Sequence, residues 1–307
     1  MSSQGLTSGG RSVTTAPSGV LARTTTALSR NPRARLALLL SAPMFWLVVL
    51  YLGSLATMFA ASVWQVDSFT GQVQRTFTWD NFHTLLTNSV YRTIALRTVM
   101  VALIVTVLSA VIAVPVALLM AKGLRSSRTR ALLVIAISMP LWANYLVKGY
   151  AWRIMFDERG VLDWALHPLG GHTPGLGLTA TTVALLYLWL PYMILPVYAA
   201  FERLPNSLID AAFDLGGRPW FAFRTVILPL VMPGVIAGSI FTFSLTLGDY
   251  IMVKIVGRAT QLYANVVYDN IGVAGDLPFA AAAAVFPVLV VVGYLVAVRR
   301  TGALESL

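Results

Sequence analysis

Six long apolar runs without a charged residue constrain the fold of this chain more than any other feature. They are Leu36–Gln65, Thr98–Ala121, Ala131–Val147, Leu178–Phe201, Thr225–Gly248 and Leu277–Val298. A helix needs about 20 apolar residues to cross about 30 Å of hydrocarbon, and only the third run is short, so its helix can extend past Lys148. Of the 307 residues 57% are hydrophobic and 11% charged, against about 25% charged in soluble domains. The sequence therefore predicts an all-α polytopic membrane protein with six transmembrane helices.

Basic residues predict the orientation of these helices, since lysine and arginine concentrate on the cytoplasmic side. If the N-terminus is inside, the inner segments are 1–35, 122–130, 202–224 and 299–307, and they hold 14 of the 22 basic residues. We therefore expect both termini in the cytoplasm. The same distribution explains the net charge of +10 as a consequence of membrane orientation. We therefore expect the basic residues to contact lipid rather than nucleic acid.

The N-terminal segment 1–33 is rich in Ser, Thr, Gly and Arg and has no apolar periodicity. This composition is typical of a disordered tail, here a cytoplasmic one. The apolar run that follows is longer than the about 7–15 residues of a signal-peptide core, so cleavage is not expected. The division is thus a tail over 1–33 and a six-helix membrane domain over 34–307.

The loop 203–229, between the fourth and fifth runs, has the pattern of two short helices. Asn206 or Ser207 can cap the first, Gly216 and Gly217 end it, and Pro219 suits the first turn of the second. One face of the first helix is apolar and includes two alanines, as Leu208, Ala211, Ala212 and Leu215 lie at helical spacing. The pattern alone is equally compatible with a protein docking closely on this face and with a helix lying on the membrane.

The spacing within this loop resembles the EAA loop of ABC importer permeases. The family pattern is Glu-Ala-Ala, three residues, Gly, nine residues, Ile, one residue, Leu-Pro, and Asp and Val replace Glu and Ile here. The matching positions are Asp210, Ala211, Ala212, Gly216, Val226, Leu228 and Pro229. The resemblance implies a type I permease fold in the bacterial plasma membrane. It also implies that the loop is a coupling helix that inserts into the ATPase subunit.

Much of the chain is similar to the first permease subunit of spermidine/putrescine importers. Met139–Trp152 resembles a Pro-x-Trp-x-x-x-Leu-x-Arg-x-Tyr pattern, with Lys148 in the place of Arg, and Leu190–Pro196 also fits. Asp276–Ala280 fits except where the group usually has Trp-Pro-Phe-Gly. The resemblance implies transport of polyamines, with another small organic solute as the alternative.

The chain lacks a Walker A motif, because none of its three lysines, Lys122, Lys148 and Lys254, follows a glycine. ATP hydrolysis is therefore expected from a partner that binds ATP and Mg²⁺, with no cofactor and no catalytic residue in this chain. The resemblance implies three kinds of partner: a second permease subunit in a heterodimer, two ATP-binding subunits and an extracytoplasmic substrate-binding protein.

Polar and aromatic residues next to the apolar runs are candidates for a substrate pathway. Asp249 directly follows the fifth run and would attract a cation; alternatively it is hydrated or pairs with Lys254 at the outer boundary. Aromatic rings can bind ammonium groups, or anchor the helices at the interface. The remaining candidates are Tyr250, Trp46, Tyr51, Trp142, Asn144, Tyr145, Lys148, Tyr150 and Trp152.

The sequence gives less support to two other functional classes. HExxH and GxSxG motifs are absent, and the spacing of His83, His167 and His172 specifies no metal site, so neither an enzyme nor a metal centre is expected. A self-sufficient secondary transporter or channel would leave the EAA-like loop unexplained. Lys254 would repel a cationic substrate unless another group neutralises it.

Overall fold

Helices make up most of the chain that the structure, a computed structural model, describes: residues 32–67, 69–214 and 219–299. Within these ranges, five helices are long and apolar enough to cross a membrane, and a bent pair of helices brings the number to six if it counts as one span. The predicted all-α membrane fold is confirmed. The chain divides into two compact units, Met1–Met58 and Phe59–Leu307.

The first long helix is almost entirely apolar. It comprises α1 (Pro32–Trp46), a π-helical segment (Leu47–Leu52) and α2 (Gly53–Ala61), and its most apolar part, Leu39–Ala61, is one of the five candidate spans. The predicted tail, 1–33, lies outside the described residues except for its last two positions, which belong to α1.

A short hairpin and one helix lead to the second span. The strands β1 (Gln65–Val66) and β2 (Val73–Gln74) pair antiparallel, which is a small addition to the predicted fold. The helix α3 (Asp80–Thr87) follows. Asn81 ties it to the end of α2, because its Nδ2 donates to the carbonyl oxygens of Ser62 at 3.0 Å and Trp64 at 2.8 Å.

The third span is a bent pair of helices. Its two halves, α5 (Ser127–Trp142) and α6 (Tyr145–Phe156), meet at 94°. Asn144 causes a new helix to begin there, since its Oδ1 accepts from the Leu146 N–H at 2.9 Å. Along the chain, α4 (Ser89–Leu118, with a π-helical end Leu119–Gly123) precedes this pair, and α7 (Val161–Leu166, with a 3₁₀ turn His167–Leu169) and α8 (Leu178–Arg203) follow it.

The loop after α8 contains the two short helices that the sequence predicts. These are α9 (Asn206–Asp214) and α10 (Pro219–Ala222), and a π-helical turn (Phe223–Ile227) continues α10 into the fifth span. Gly216 and Gly217 lie outside the described residues. The chain then forms α11 (Leu228–Gly248), α12 (Ile251–Val256), α13 (Tyr263–Asp269, with a π-helical end Asn270–Ala274) and α14 (Leu277–Arg299).

The helices α4, α8 and α11 form the centre of the second unit. Small residues allow α8 and α11 to approach closely: a Cβ at Gly234 would lie 2.6 Å from the Ala200 Cβ and 2.7 Å from the Pro196 carbonyl oxygen. Gly238, four residues on, meets Met193 in the same way. In lipid, helix association depends on such backbone proximity, and small residues four apart provide it.

Candidate functional site

The helical path breaks between α11 and α12, and Asp249 occupies the break. Its carboxylate is buried, with 7% of the residue exposed. The Oδ1 atom accepts from the Met252 N–H at 2.9 Å and so caps the first turn of α12. A cavity of about 260 Å³ lies beside it, lined by Tyr145, Trp189, Ser244, Leu245, Gly248, Asp249, Tyr250 and Ile251.

A second helix break meets the first at this cavity. The bend between α5 and α6 places Tyr145 at the start of α6, and its hydroxyl donates to Asp249 Oδ2. Membrane transporters use such interrupted helices to present polar groups at membrane depth, because irregular backbone is tolerated only where it lines a cavity or is buried in protein. The structure thus brings together three predicted pathway residues: Tyr145, Asp249 and Tyr250.

Trp189 is a cavity residue that the sequence analysis missed. Its indole Nε1, which can only donate, is buried without an acceptor in the described part of the chain. Its ring centroid lies 6.3 Å from that of Tyr145. In the sequence, the only indication was an indole in the middle of the run Leu178–Phe201, a position where tryptophan is also common for packing.

Lys254 does not pair with Asp249, so that alternative for the carboxylate is wrong. Its Nζ instead lies 2.6 Å from Asp269 Oδ1 and 3.9 Å from the Tyr268 ring centroid. Tyr268 in turn stacks on Tyr250 at 4.5 Å. Lys254 is therefore neutralised by a carboxylate of the same chain, whereas Lys148 has its Nζ 5.8 Å from the Tyr145 ring centroid.

The other predicted pathway residues do not line this cavity. Lys148 donates to the Pro140 carbonyl oxygen at 2.9 Å and so connects the two halves of the bent span. Asn144 caps α6, and Trp152 packs against Phe156 and Tyr187. The remaining four are exposed side chains: Trp142, Tyr150, Trp46 and Tyr51, of which the last two belong to the first unit. Their contact with substrate stays a prediction.

The predicted coupling residues lie around α9 and at the start of α11. Lys122 anchors the beginning of α9, because its Nζ donates to the Leu204 carbonyl oxygen at 2.6 Å and to Asn206 Oδ1 at 2.8 Å. Asp210 is exposed on α9, which also contains Ala211 and Ala212. Val226 and Leu228 are half-buried and Pro229 is exposed, whereas Gly216 lies outside the described residues.

The histidines form no evident centre. In the described ranges there is no group of three or more His, Cys, Asp or Glu residues that could hold a metal ion. His167 and His172 have ring centroids 6.4 Å apart, and His172 Nδ1 lies 3.7 Å from Asp163 Oδ1.

Comparisons with known proteins agree on one family. Residues 113–299 match the model of the binding-protein-dependent transport system inner membrane component family. The chain is 41% identical over 292 residues to the inner membrane ABC transporter permease protein YdcU of Escherichia coli (strain K12), covering 90% of this chain and 93% of that protein. It is 32% identical over 208 residues to the spermidine/putrescine transport system permease protein PotB of Haemophilus influenzae, covering 66% of this chain and 72% of PotB.

A solved structure has the same fold at low sequence identity. It is a bacterial alginate ABC transporter in complex with an alginate pentasaccharide-bound periplasmic protein, with a TM-score of 0.68 and 14% identity, covering 90% of this chain and 96% of that chain. The fold, the loop motif and the sequence matches lead to the same conclusion. This chain belongs to the family of binding-protein-dependent transport system inner membrane components, and it is a permease subunit of an ABC importer.

Proposed function

We propose that this permease forms half of a translocation pathway for cationic amines of the polyamine class, such as spermidine and putrescine. The observation that carries the proposal is the buried carboxylate of Asp249, which shares one cavity with the rings of Tyr145, Trp189 and Tyr250. A carboxylate beside aromatic faces is the chemistry that binds an alkylammonium group. A second candidate, another small organic solute, is favoured by the higher identity to YdcU, whose name states no substrate.

The charges around the cavity support a cation rather than an anion. Asp249 has no basic partner among the described residues, and it accepts hydrogen bonds from the Tyr145 hydroxyl and the Met252 N–H. The neighbouring Lys254 is already paired with Asp269. A cationic substrate would therefore meet Asp249, the one acidic or basic residue among those that line the cavity.

The energy for transport comes, in this proposal, from ATP and Mg²⁺ bound by two partner ATP-binding subunits. The loop 203–229 docks on one of them, a second permease completes the pathway, and an extracytoplasmic binding protein delivers substrate. Both termini then lie in the cytoplasm. The exposed Asp210 on α9 and the anchoring of that helix by Lys122 support a docking role, since a docking helix needs a free face and a fixed base.

The test is ATP hydrolysis by the complete complex reconstituted in liposomes. Binding protein loaded with spermidine should stimulate hydrolysis above the rate with unloaded binding protein. Stimulation by a different loaded solute, but not by spermidine or putrescine, would retain the importer and reject the polyamine. Uptake by the permeases alone, without ATP, would reject the dependence on partner ATPases.

A further inference from the structure

A basic pocket of about 620 Å³ lies at the base of α9, where several membrane helices end. Its charged lining consists of Lys122, Arg130, Arg203 and Glu202, three cations against one carboxylate. Lys122 follows α4, Arg130 belongs to the first turn of α5, and the other two close α8. These residues flank apolar spans, and the headgroup region of a bilayer begins where such spans end.

The donors of this pocket exceed the acceptors that the described residues offer them. Arg130 donates to the Leu124 carbonyl oxygen at 3.1 Å and has Nη1 3.6 Å from Glu202 Oε1, yet its Nε is buried without an acceptor. Glu202 already accepts from the Tyr198 hydroxyl at 2.6 Å. The guanidinium of Arg203 contacts no acceptor in residues 32–67, 69–214 and 219–299. Among the described residues, the basic groups that line this pocket therefore outnumber their acidic partners.

An apolar groove adjoins the basic pocket and shares Ala199 and Arg203 with it. This groove, of about 380 Å³, follows the seam where α8 and α11 touch and extends from Arg203, at the end of α8, to Pro196. Its other lining residues are Pro196, Ala200, Leu230, Pro233, Gly234 and Ala237. A cationic compartment joined to an apolar one is complementary to an amphiphile that has an anionic head and a hydrocarbon chain.

We propose that the pocket and the groove together bind one anionic phospholipid, with its phosphate in the basic pocket and an acyl chain in the groove over the seam of α8 and α11. Three cations against one carboxylate favour an anionic over a zwitterionic headgroup. The groove explains why the occupant is a lipid rather than a free phosphate, because a soluble anion would leave the apolar walls uncovered. Since Lys122 also anchors α9, an occupied pocket would stiffen the base of the loop 203–229.

The test measures lipid binding to the complete importer complex after delipidation. Phosphatidylglycerol or phosphatidylcholine is added in mixed micelles, and native mass spectrometry counts the bound lipids. We expect Arg203→Gln to weaken phosphatidylglycerol binding about fivefold, from the loss of one basic residue near the headgroup, and to leave phosphatidylcholine unchanged. Arg128→Gln is the matched control, because Arg128 is an exposed arginine of α5 outside the pocket.

Filling the groove tests the acyl-chain half of the proposal. Ala199→Phe should reduce the binding of both lipids, because residue 199 lies where the two compartments join. Three results would overturn the proposal: equal binding of the two lipids, equal effects of Arg203→Gln and Arg128→Gln, or displacement of phosphatidylglycerol by inorganic phosphate. Crosslinking of an Ala199→Cys variant to the second permease would also overturn it, by assigning the groove to a protein interface.

Discussion

The hydroxyl of Tyr145 donates a hydrogen bond to the carboxylate of Asp249, 104 residues further along the chain. The bond joins the beginning of α6 to the junction of α11 and α12, so it connects two interrupted spans at one point. A substrate ammonium that approached Asp249 would compete with this hydroxyl for the same carboxylate. The pair therefore serves both as a structural tie and as the proposed cation site, and the two roles can be separated by substitution.

Asp249→Asn should lower uptake of a cationic amine roughly tenfold or more, since a hydrogen bond to a charged group contributes about 1.5–3 kcal/mol. Assembly should be unaffected, because the Asn amide oxygen can still accept from the Met252 N–H and cap α12. The measurement is radiolabelled spermidine uptake into proteoliposomes. Asp276→Asn is the control, as Asp276 likewise accepts a helix N–H, that of Phe279 at 2.9 Å, but does not line the cavity. Unchanged uptake would remove Asp249 from the pathway.

Tyr145→Phe should destabilise the permease by about 1–3 kcal/mol, because it leaves one oxygen of a buried carboxylate without its donor. Tyr150→Phe is the matched control: Tyr150 lies on the same helix, and its side chain is exposed. Thermal unfolding of both variants in detergent provides the comparison. Equal melting temperatures for the two variants would show that the Tyr145 hydroxyl contributes nothing to stability.

Gly234→Ala should separate α8 from α11 or prevent assembly, because the added Cβ would meet the Ala200 Cβ and the Pro196 carbonyl oxygen, neither of which can rotate away. Overpacking of this kind costs about 1–3 kcal/mol. Gly293→Ala in α14 is the control, since a Cβ there meets nothing within 4 Å and alanine favours the helix. The melting temperature should fall only for Gly234→Ala; a fall of equal size in both would contradict the close approach at Gly234.

The apolar runs were sufficient to predict the approximate positions of the five candidate spans and of the bent pair, because hydropathy depends on composition alone. They could not predict the 94° bend within the third span. Asn144 and its cap interrupt the helix there without adding a charge, so the run Ala131–Val147 looks continuous in the sequence. Asp249 and Tyr250 could be proposed as pathway residues from their position directly after an apolar run. Trp189 could not, because it lies within such a run. The distance between Tyr145 and Trp189 is a tertiary property, and no sequence spacing encodes it.

Lys254 and Asp269 form a pair whose contribution to transport can be separated from its contribution to stability. Both side chains are partly exposed, 40% and 32%, so the pair should add at most about 1 kcal/mol to stability. Asp269→Asn should nevertheless reduce uptake of a cation, because Lys254 then carries an uncompensated charge near the cavity. The double variant Lys254→Gln with Asp269→Asn should restore uptake. Failure of the double variant to restore uptake, with all variants stably folded, would show that Lys254 does not act through its charge.

Lys122 fixes the base of α9 through two hydrogen bonds, to the Leu204 carbonyl oxygen and Asn206 Oδ1. Lys122→Met keeps most of the apolar stem but removes both bonds, so α9 would transmit less of the movement of a docked ATPase to α8. We expect substrate transported per ATP hydrolysed to fall several-fold, with basal hydrolysis retained, because bonds from a charged donor contribute about 1.5–3 kcal/mol each. Arg125→Gln is the control, as Arg125 is exposed in the same short connection. An unchanged ratio of transport to hydrolysis in Lys122→Met would contradict a mechanical role for this anchor, whereas loss of the whole complex would assign Lys122 to assembly instead.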